Sequence, residues 1–305
     1  VLTGPKAPFR CWPRFGQLAP QAGFSYASRI SLAETFGPAT PREASAATPV
    51  GKSIAEAEDE MPDDDSDPKK GAGDKILAMR ANWSFDGDTP DHFVSHLRRS
   101  VPLYDLGHEL TCQLSDFFVH SGSTCYEIGV STGELIRRLA DHNAHKPNVR
   151  WVGMDSVEAM VARAREHTAG YGNIDLLVDD ATTFEFAKTD FFVSYYCVQF
   201  IPPRLRQPLF DKIYESLNWG GALVLFEKVR APDARFQDIS VALYDDFKRG
   251  QGFDDSEILA KTRSLRGVLE PYTTEANREY LTRAGFRDIV SVMKYVCFEG
   301  FLAIK

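Results

Sequence analysis

The chain has 305 residues, of which 43% are hydrophobic and 26% charged, and it carries a formal net charge of -8. This composition excludes a collagen-like chain, a disulfide scaffold and a wholly disordered protein, and the acidic balance argues against a broad basic face for nucleic acid. No run approaches the ~20 apolar residues that a membrane-crossing helix requires, so neither a membrane nor direct nucleic-acid binding is expected.

Residues 1–75 differ from the rest. Pro, Ala, Gly and Ser are frequent and no amphipathic period persists. Residues 1–50 hold five basic side chains (Lys6, Arg10, Arg14, Arg29, Arg42) against Glu34 and Glu43, and an acidic run follows from Glu56 to Asp67. A like-charged run of this kind repels itself and stays solvated, so a disordered extension is expected over 1–75 and one folded domain over 76–305. For residues 1–50 three readings stand open: an Arg- and Ser-bearing organelle transit peptide, an unstructured tail, or a chain that starts too early, since Met61 lies nearer the folded part. Of the five cysteines, Cys112, Cys125, Cys197 and Cys297 are scattered and never form CxxC. They read as small core residues in a reducing, cytoplasmic compartment.

Beyond Lys75 helical and strand patterns alternate, as in an α/β domain. Asp105–Val119 carries Leu106, Leu110, Leu114, Phe117 and Phe118 at helical spacing. Strands are expected over Thr124–Ile128, Arg150–Met154 and Asp175–Val178, with helices over Gly133–His142 and Glu158–Ala169. Phe191–Val198 is suited to a buried central strand. Leu205–Leu217 reads as a helix ended by Gly220-Gly221, followed by a strand over Ala222–Phe226. Ile289–Ile304 reads as a hairpin turning around Phe298–Gly300, and Ala231–Tyr272 as a helical insertion.

The first strand runs into Glu127-Ile128-Gly129-Val130-Ser131-Thr132-Gly133 and then a helix. Glycine at a strand end admits a close ligand. The next strand ends in Asp155-Ser156, where an acid is positioned for a ribose diol, and the third in Asp179-Asp180-Ala181, where an acid can face an adenine amine. The loop lacks the GxGxxG of dinucleotide sites and no Walker lysine follows. Glu-x-Gly-x-x-x-Gly with an acid at the next strand end looks like the S-adenosylmethionine site of class I methyltransferases. Tyr104, Tyr195 and Tyr196 are candidate pocket aromatics, suited to a sulfonium cation.

Further segments are more specific. They are Trp83-Ser84-Phe85-Asp86, Arg99-Ser100-Val101-Pro102-Leu103-Tyr104, Val198-Gln199-Phe200-Ile201-Pro202, Leu217-Asn218-Trp219-Gly220-Gly221 through Phe226-Glu227-Lys228, and Asp246-Phe247-Lys248-Arg249 before Gly252-Phe253. In order and spacing these resemble the carboxy-S-adenosylmethionine synthase family from about Asn82 to Lys305. The resemblance implies a Rossmann-like class I methyltransferase fold, with a seven-stranded, mostly parallel sheet, a C-terminal β-hairpin and a helical insertion. It also implies a homodimer that uses S-adenosyl-L-methionine and prephenate, releases phenylpyruvate, and feeds wobble-uridine modification of tRNA. Carried over by position, Tyr104, Gly129, Ser131, Gly133, Asp155, Ser156, Asp180, Ala181 and Tyr195 would form or flank the cofactor site.

Two positions depart from that family. Its arginine for the product's extra carboxylate falls on Thr262, between Lys261 and Arg263, and a one-residue slip on a helix is a rotation of ~100°. Its asparagine near the end of the fourth strand is Tyr195 here, which changes the pocket's volume and hydrogen bonding. Loss of a bidentate arginine removes a charge-assisted contact. The expectation is therefore an S-adenosylmethionine-dependent methyltransferase acting on a small-molecule acceptor, with carboxy-S-adenosylmethionine synthesis from prephenate as the alternative and a non-catalytic cofactor-binding partner as a third reading. Lys261, Thr262 and Arg263 are the candidate substrate-binding residues. Lys248, Arg249, Lys261, Arg263 and Arg266 form a basic cluster, read either as an anion site or as a solvated face balanced by nearby acids. His92, His96, His108 and His120 read as surface or capping residues, with no third metal ligand, and no Gly-x-Ser-x-Gly elbow is present. No single catalytic residue is assigned, because methyl transfer needs little beyond in-line positioning.

Overall fold

The computed structural model describes residues 89–305, with side chains from Phe93 onward. The disorder expected over 1–75 and the readings of 1–50 lie outside the described residues, as does the side chain of His92.

Helices α1 (Thr89–Ser100) and α2 (Tyr104–Ser115) precede a sheet of seven strands. In chain order they are β1 (Thr124–Ile128), β2 (Arg150–Asp155), β3 (Ile174–Val178), β4 (Thr189–Tyr195), β5 (Leu217–Lys228), β6 (Asp288–Tyr295) and β7 (Phe298–Ile304). The sheet order is β3-β2-β1-β4-β5-β7-β6. All pairs from β3 to β5 are parallel, and β7 is antiparallel to both of its neighbours. Crossovers are made by α3 (Glu134–His142), α4 (Glu158–His167) and α5 (Pro203–Ser216), and α8 (Thr274–Ala284) leads into β6. This is the expected class I methyltransferase fold. The insertion expected over 231–272 supplies α6 (Ala234–Gly250) and α7 (Asp255–Ser264).

The central strands are apolar on both faces because both are covered. Phe192, Leu223, Leu225, Phe301 and Ala303 point into one core, while Phe191, Val193, Val224, Phe226 and Trp151 point into the other. Alternation along the pleat thus places successive residues in opposite cores. Cys112, Cys125 and Cys297 are buried, Cys197 is partly exposed, and all four are free thiols.

The helix read over Asp105–Val119 ends at Ser115 and the strand read over Phe191–Val198 ends at Tyr195, and two further boundaries differ from the sequence reading. The glycines at 220 and 221 do not end a helix. α5 stops at Ser216 because Leu217 is already extended, with ψ at 139°, and β5 begins there. Gly220 donates to the Lys305 carbonyl and Lys305 donates back to Gly221, so the glycines pair with the chain's last residue. The hairpin turns at Val296-Cys297 rather than around Phe298–Gly300. Phe298 is buried at the start of β7. Gly300 is mid-strand because the Phe226 ring lies over it, 2.6 Å from where a Cβ would stand.

Phe301 is fully buried between β5 and β6. Phe301→Ala is expected to cost about 3–5 kcal/mol of folding stability, read as a lower urea midpoint with an unchanged slope. A loss below about 1 kcal/mol would mean that this core closes around the missing ring.

Candidate functional site

A cavity of about 360 Å³ opens at the carboxyl ends of β1, β2 and β4, where ligands sit in open parallel sheets. Its floor is the turn after β1. Gly129 has φ of +76°, and a Cβ there would stand 2.5 Å from both Cβ and Sγ of Cys197, in the turn after β4. Only glycine fits, both for its backbone and for its space. Ser131, also left-handed with φ of 50°, donates its N–H to Asp155 Oδ2 at 3.0 Å, and Val157 N–H donates to Asp155 Oδ1 at 3.0 Å. One carboxylate at the end of β2 therefore ties together the loops after β1 and β2. Burial raises its pKa, and the backbone donors oppose that shift.

Glu127 is 3% exposed, lies in the wall and leaves Oε2 without a hydrogen-bond partner. Burial pushes its carboxyl well above the usual range, and the Ile136 N–H in the first turn of α3 opposes this. α3 has no side-chain cap of its own at Gly133, so the glutamate partly serves that end.

The opposite wall is aromatic. The His108 ring lies 4.4 Å from Tyr104 and 4.6 Å from Tyr195, and Tyr195 lies 4.8 Å from Tyr196. Tyr195 donates its hydroxyl to the Tyr104 carbonyl at 2.8 Å. Its room comes from Gly107 in mid-α2, where a Cβ would meet the Tyr195 oxygen at 2.1 Å. His108 is 1% exposed rather than at the surface, and its Nδ1 has no partner. Burial lowers its pKa to about 3, so the ring is neutral. His96 is also fully buried, contrary to the surface or capping reading, because Lys261 of α7 and the Phe253 ring pack against it. His120 is exposed.

Of the residues singled out from the sequence, Tyr104, Gly129, Ser131, Asp155, Ser156, Asp180 and Tyr195 line this cavity. Gly133 and Ala181 do not. Gly133 is the left-handed residue before α3, against Ala164, and Ala181 sits in the core beneath β4. Asp180 Oδ1 accepts the Thr182 N–H at 2.8 Å, an Asx turn at the rim.

The three substrate candidates separate by helical rotation. Lys261 enters the cavity, with Nζ 3.0 Å from Ser100 Oγ and in contact with His96 Nε2. Thr262 faces a neighbouring cavity, and Arg263 is exposed and lines neither. Lys228, at the end of β5, also lines the cavity. It stood only within a family-like segment in the sequence, and its chain-local context gave no signal that it faces a ligand space.

Behind the wall, Glu227 is 2% exposed and receives the backbone N–H groups of Val198 and Gln199, which fixes the turn carrying Gln199, Phe200 and Ile201. Burial outweighs nearby Arg206 and raises its pKa to about 8. Between the ordinary carboxyl range and that value, the folded state keeps a proton that the unfolded chain has released. Stability therefore falls as pH rises through this window, by at most about 1.4 kcal/mol per unit for one group, and levels off above it. Glu227→Gln is expected to flatten the slope of urea stability between pH 5 and 8. A slope equal to wild type would show that Glu227 is not protonated in the folded state.

A family description, "Methyltransferase domain", matches residues 126–221. Among curated proteins, the carboxy-S-adenosyl-L-methionine synthase of Campylobacter lari is 33% identical over 228 residues, 74% of this chain and 96% of that protein. The enzyme of the same name from Wolinella succinogenes is 34% identical over 232 residues, 74% of this chain and 95% of that protein. Among solved structures, the pyocyanin biosynthetic protein PhzM superposes with a TM-score of 0.51 at 16% identity, covering 72% of this chain and 58% of that one, which speaks for the fold alone. The protein is an S-adenosyl-L-methionine-dependent transferase, and the residues in the cavity suit that cofactor. Gly129 presents bare backbone to the cavity, Glu127 has an orphaned oxygen in its wall, and the Tyr104, His108 and Tyr195 rings that line it suit a sulfonium cation. By its sequence the chain belongs to the carboxy-S-adenosyl-L-methionine synthase family.

Proposed function

We propose that this chain is a carboxy-S-adenosyl-L-methionine synthase, moving a carboxyl group from prephenate to the cofactor, with phenylpyruvate and water as the other products: prephenate gives up its ring carboxyl as CO2 and its ring hydroxyl as hydroxide, and the hydroxide takes up the proton that the carboxyl replaces. The expectation of plain methyl transfer rested on a cavity without the family's arginine, and hence without a group for the extra carboxylate. The observation that carries the present reading is Lys261. It lies one residue before the arginine's position and reaches the cavity, supported by Ser100 and His96. An ammonium is a point charge rather than a planar fork, so it trades bidentate geometry for reach. The names of the relatives at 33–34% identity support the same reading.

When bound, S-adenosyl-L-methionine supplies an activated carbon next to a sulfonium. In this proposal Gly129 and Ser131 form the backbone floor beneath it. Asp155 and Ser156 face the ribose, and Asp180 faces the adenine. Tyr104, His108 and Tyr195 form the aromatic wall, which excludes water and favours a cation. Tyr195 replaces a hydrogen-bonding asparagine with bulk, and its hydroxyl is already spent on the Tyr104 carbonyl, so it pins the start of α2 instead of reaching for the ligand. Lys261 holds the carboxylate on the product. A homodimer acting on small molecules in the cytoplasm completes the proposal.

The test is mass spectrometry of the small-molecule products after incubating the protein with S-adenosyl-L-methionine, with and without prephenate. A carboxylated cofactor that depends on prephenate is expected. Lys261→Met should lower its formation about tenfold or more, as for loss of a charge-assisted contact of ~1.5–3 kcal/mol, and Lys261→Arg should keep part of it. Cofactor that binds but stays unchanged would contradict the reading and leave methyl transfer to a small acceptor as the function.

A further inference from the structure

A second cavity, of about 700 Å³, lies between the end of β5, α6, α7 and the segment around Tyr272. Five cations line it (Lys228, Arg230, Lys248, Lys261 and Arg266) against one carboxylate, Glu270. The basic cluster seen in the sequence divides here. Arg249 is exposed and is neutralised by Asp246 at 2.8 Å and Asp255 at 2.7 Å, and Arg263 lines neither of the two cavities, whereas Lys248, Lys261 and Arg266 line this one.

Charge pairing within this second space is incomplete. Lys248 meets Asp245 at 2.8 Å. Among the described residues no carboxylate comes within ion-pair distance of Lys228, Arg230 or Arg266. Lys228 is the most confined of the three. Its Nζ lies 4.3 Å from the centre of the Tyr244 ring and 5.8 Å from that of Phe298. Burial lowers its pKa, with neighbouring Lys248 and Arg230 acting the same way, while the Cys297 thiol and Asp245, the latter already engaged by Lys248, oppose the shift. Lys228, Tyr244 and Lys261 line both cavities, so the lysine stands at the passage between the cofactor space and the cationic one. A confined cation without a counter-ion is costly, and an arriving anion removes that cost.

We propose that the second cavity binds the carboxyl donor as a small dicarboxylate. Lys228 holds the carboxylate nearer the cofactor, and Arg230 and Arg266 hold the outer one at the mouth. The volume is in the range of small-molecule sites, and the two arginines are exposed at the opening, where they attract an anion before it enters. Lys261 then meets the carboxylate on the product, and Lys228 the carboxylate on the donor. This assignment deepens the carboxyl-transfer reading and rests on it.

The test uses the full chain. The rate of carboxylated-cofactor formation is measured against prephenate concentration for wild type, Lys228→Met, Lys228→Arg and Arg266→Gln, and S-adenosyl-L-methionine affinity is measured by calorimetry for each. Lys228→Met is expected to raise the prephenate KM about tenfold or more while cofactor affinity stays within about twofold. Lys228→Arg should recover part of the loss. Arg266→Gln, at the exposed mouth, should raise KM several-fold and weaken its dependence on salt. An unchanged prephenate KM in both Lys228→Met and Arg266→Gln would overturn the assignment, as would an equal loss of cofactor affinity. Inorganic phosphate that displaces prephenate at equal concentration would also overturn it, by showing a site for any anion. If wild type forms no carboxylated cofactor, the carboxyl-transfer reading falls separately. Direct calorimetry with prephenate then still tests the cavity: binding lost in Lys228→Met supports it, and binding equal to wild type contradicts it.

Discussion

The site depends on one close approach, that of Gly129 to Cys197. The turns after β1 and β4 meet with no room for a Cβ, and two residues on, the Ser131 N–H rests on Asp155. Asp155 receives N–H groups from two loops, so the shape of the cavity floor is set by backbone. A floor made of backbone is rigid and cannot be repacked by rotamer changes. The variable chemistry of the site has therefore been left to the aromatic wall and the cationic side.

Those two sides carry what is particular to this chain. Tyr195 and Gly107 are complementary in size, so a larger side chain at the end of β4 is accommodated by removing one from α2. The tyrosine hydroxyl returns to the backbone at Tyr104, 91 residues away. On the cationic side, Thr262 in place of an arginine does not leave the cavity uncharged, because the residue before it on α7 points inward. In the proposed reading, the departure at Thr262 changes which residue of α7 reaches the cavity rather than removing its charge. In the proposal above, specificity comes from where confined charge is left unmatched, and Lys228 is the clearest case.

Much of the sheet was legible in the sequence because its strands are short apolar runs ended by glycines and acids. β1 spans Thr124–Ile128 as read, and the Asp155 position follows from its place at a strand end. Where the reading failed, the deciding partner was distant in sequence. Gly220 and Gly221 resemble a helix stop, yet they pair with Lys305, which nothing local announces. Gly300 looked like a turn until the Phe226 ring was seen to lie over it. Histidines 96 and 108 seemed to be surface residues, and burial by α7 and by the tyrosines decided otherwise. Lys228 ends a strand, as many solvent-facing lysines do, and its confinement arises only once α6 puts Tyr244 beside it.

The most direct test of this account is the affinity of Gly129→Ala for S-adenosyl-L-methionine, measured by calorimetry and compared with wild type and with the Gly129→Ala/Cys197→Gly pair. An alanine there meets both a left-handed backbone penalty of ~1–2 kcal/mol and the cysteine. The account predicts a fall in affinity of about tenfold or more in the single variant, and partial recovery in the pair, which removes the collision but not the backbone penalty. Unchanged affinity in Gly129→Ala would show that the floor yields, and that the cofactor site does not rest on this contact.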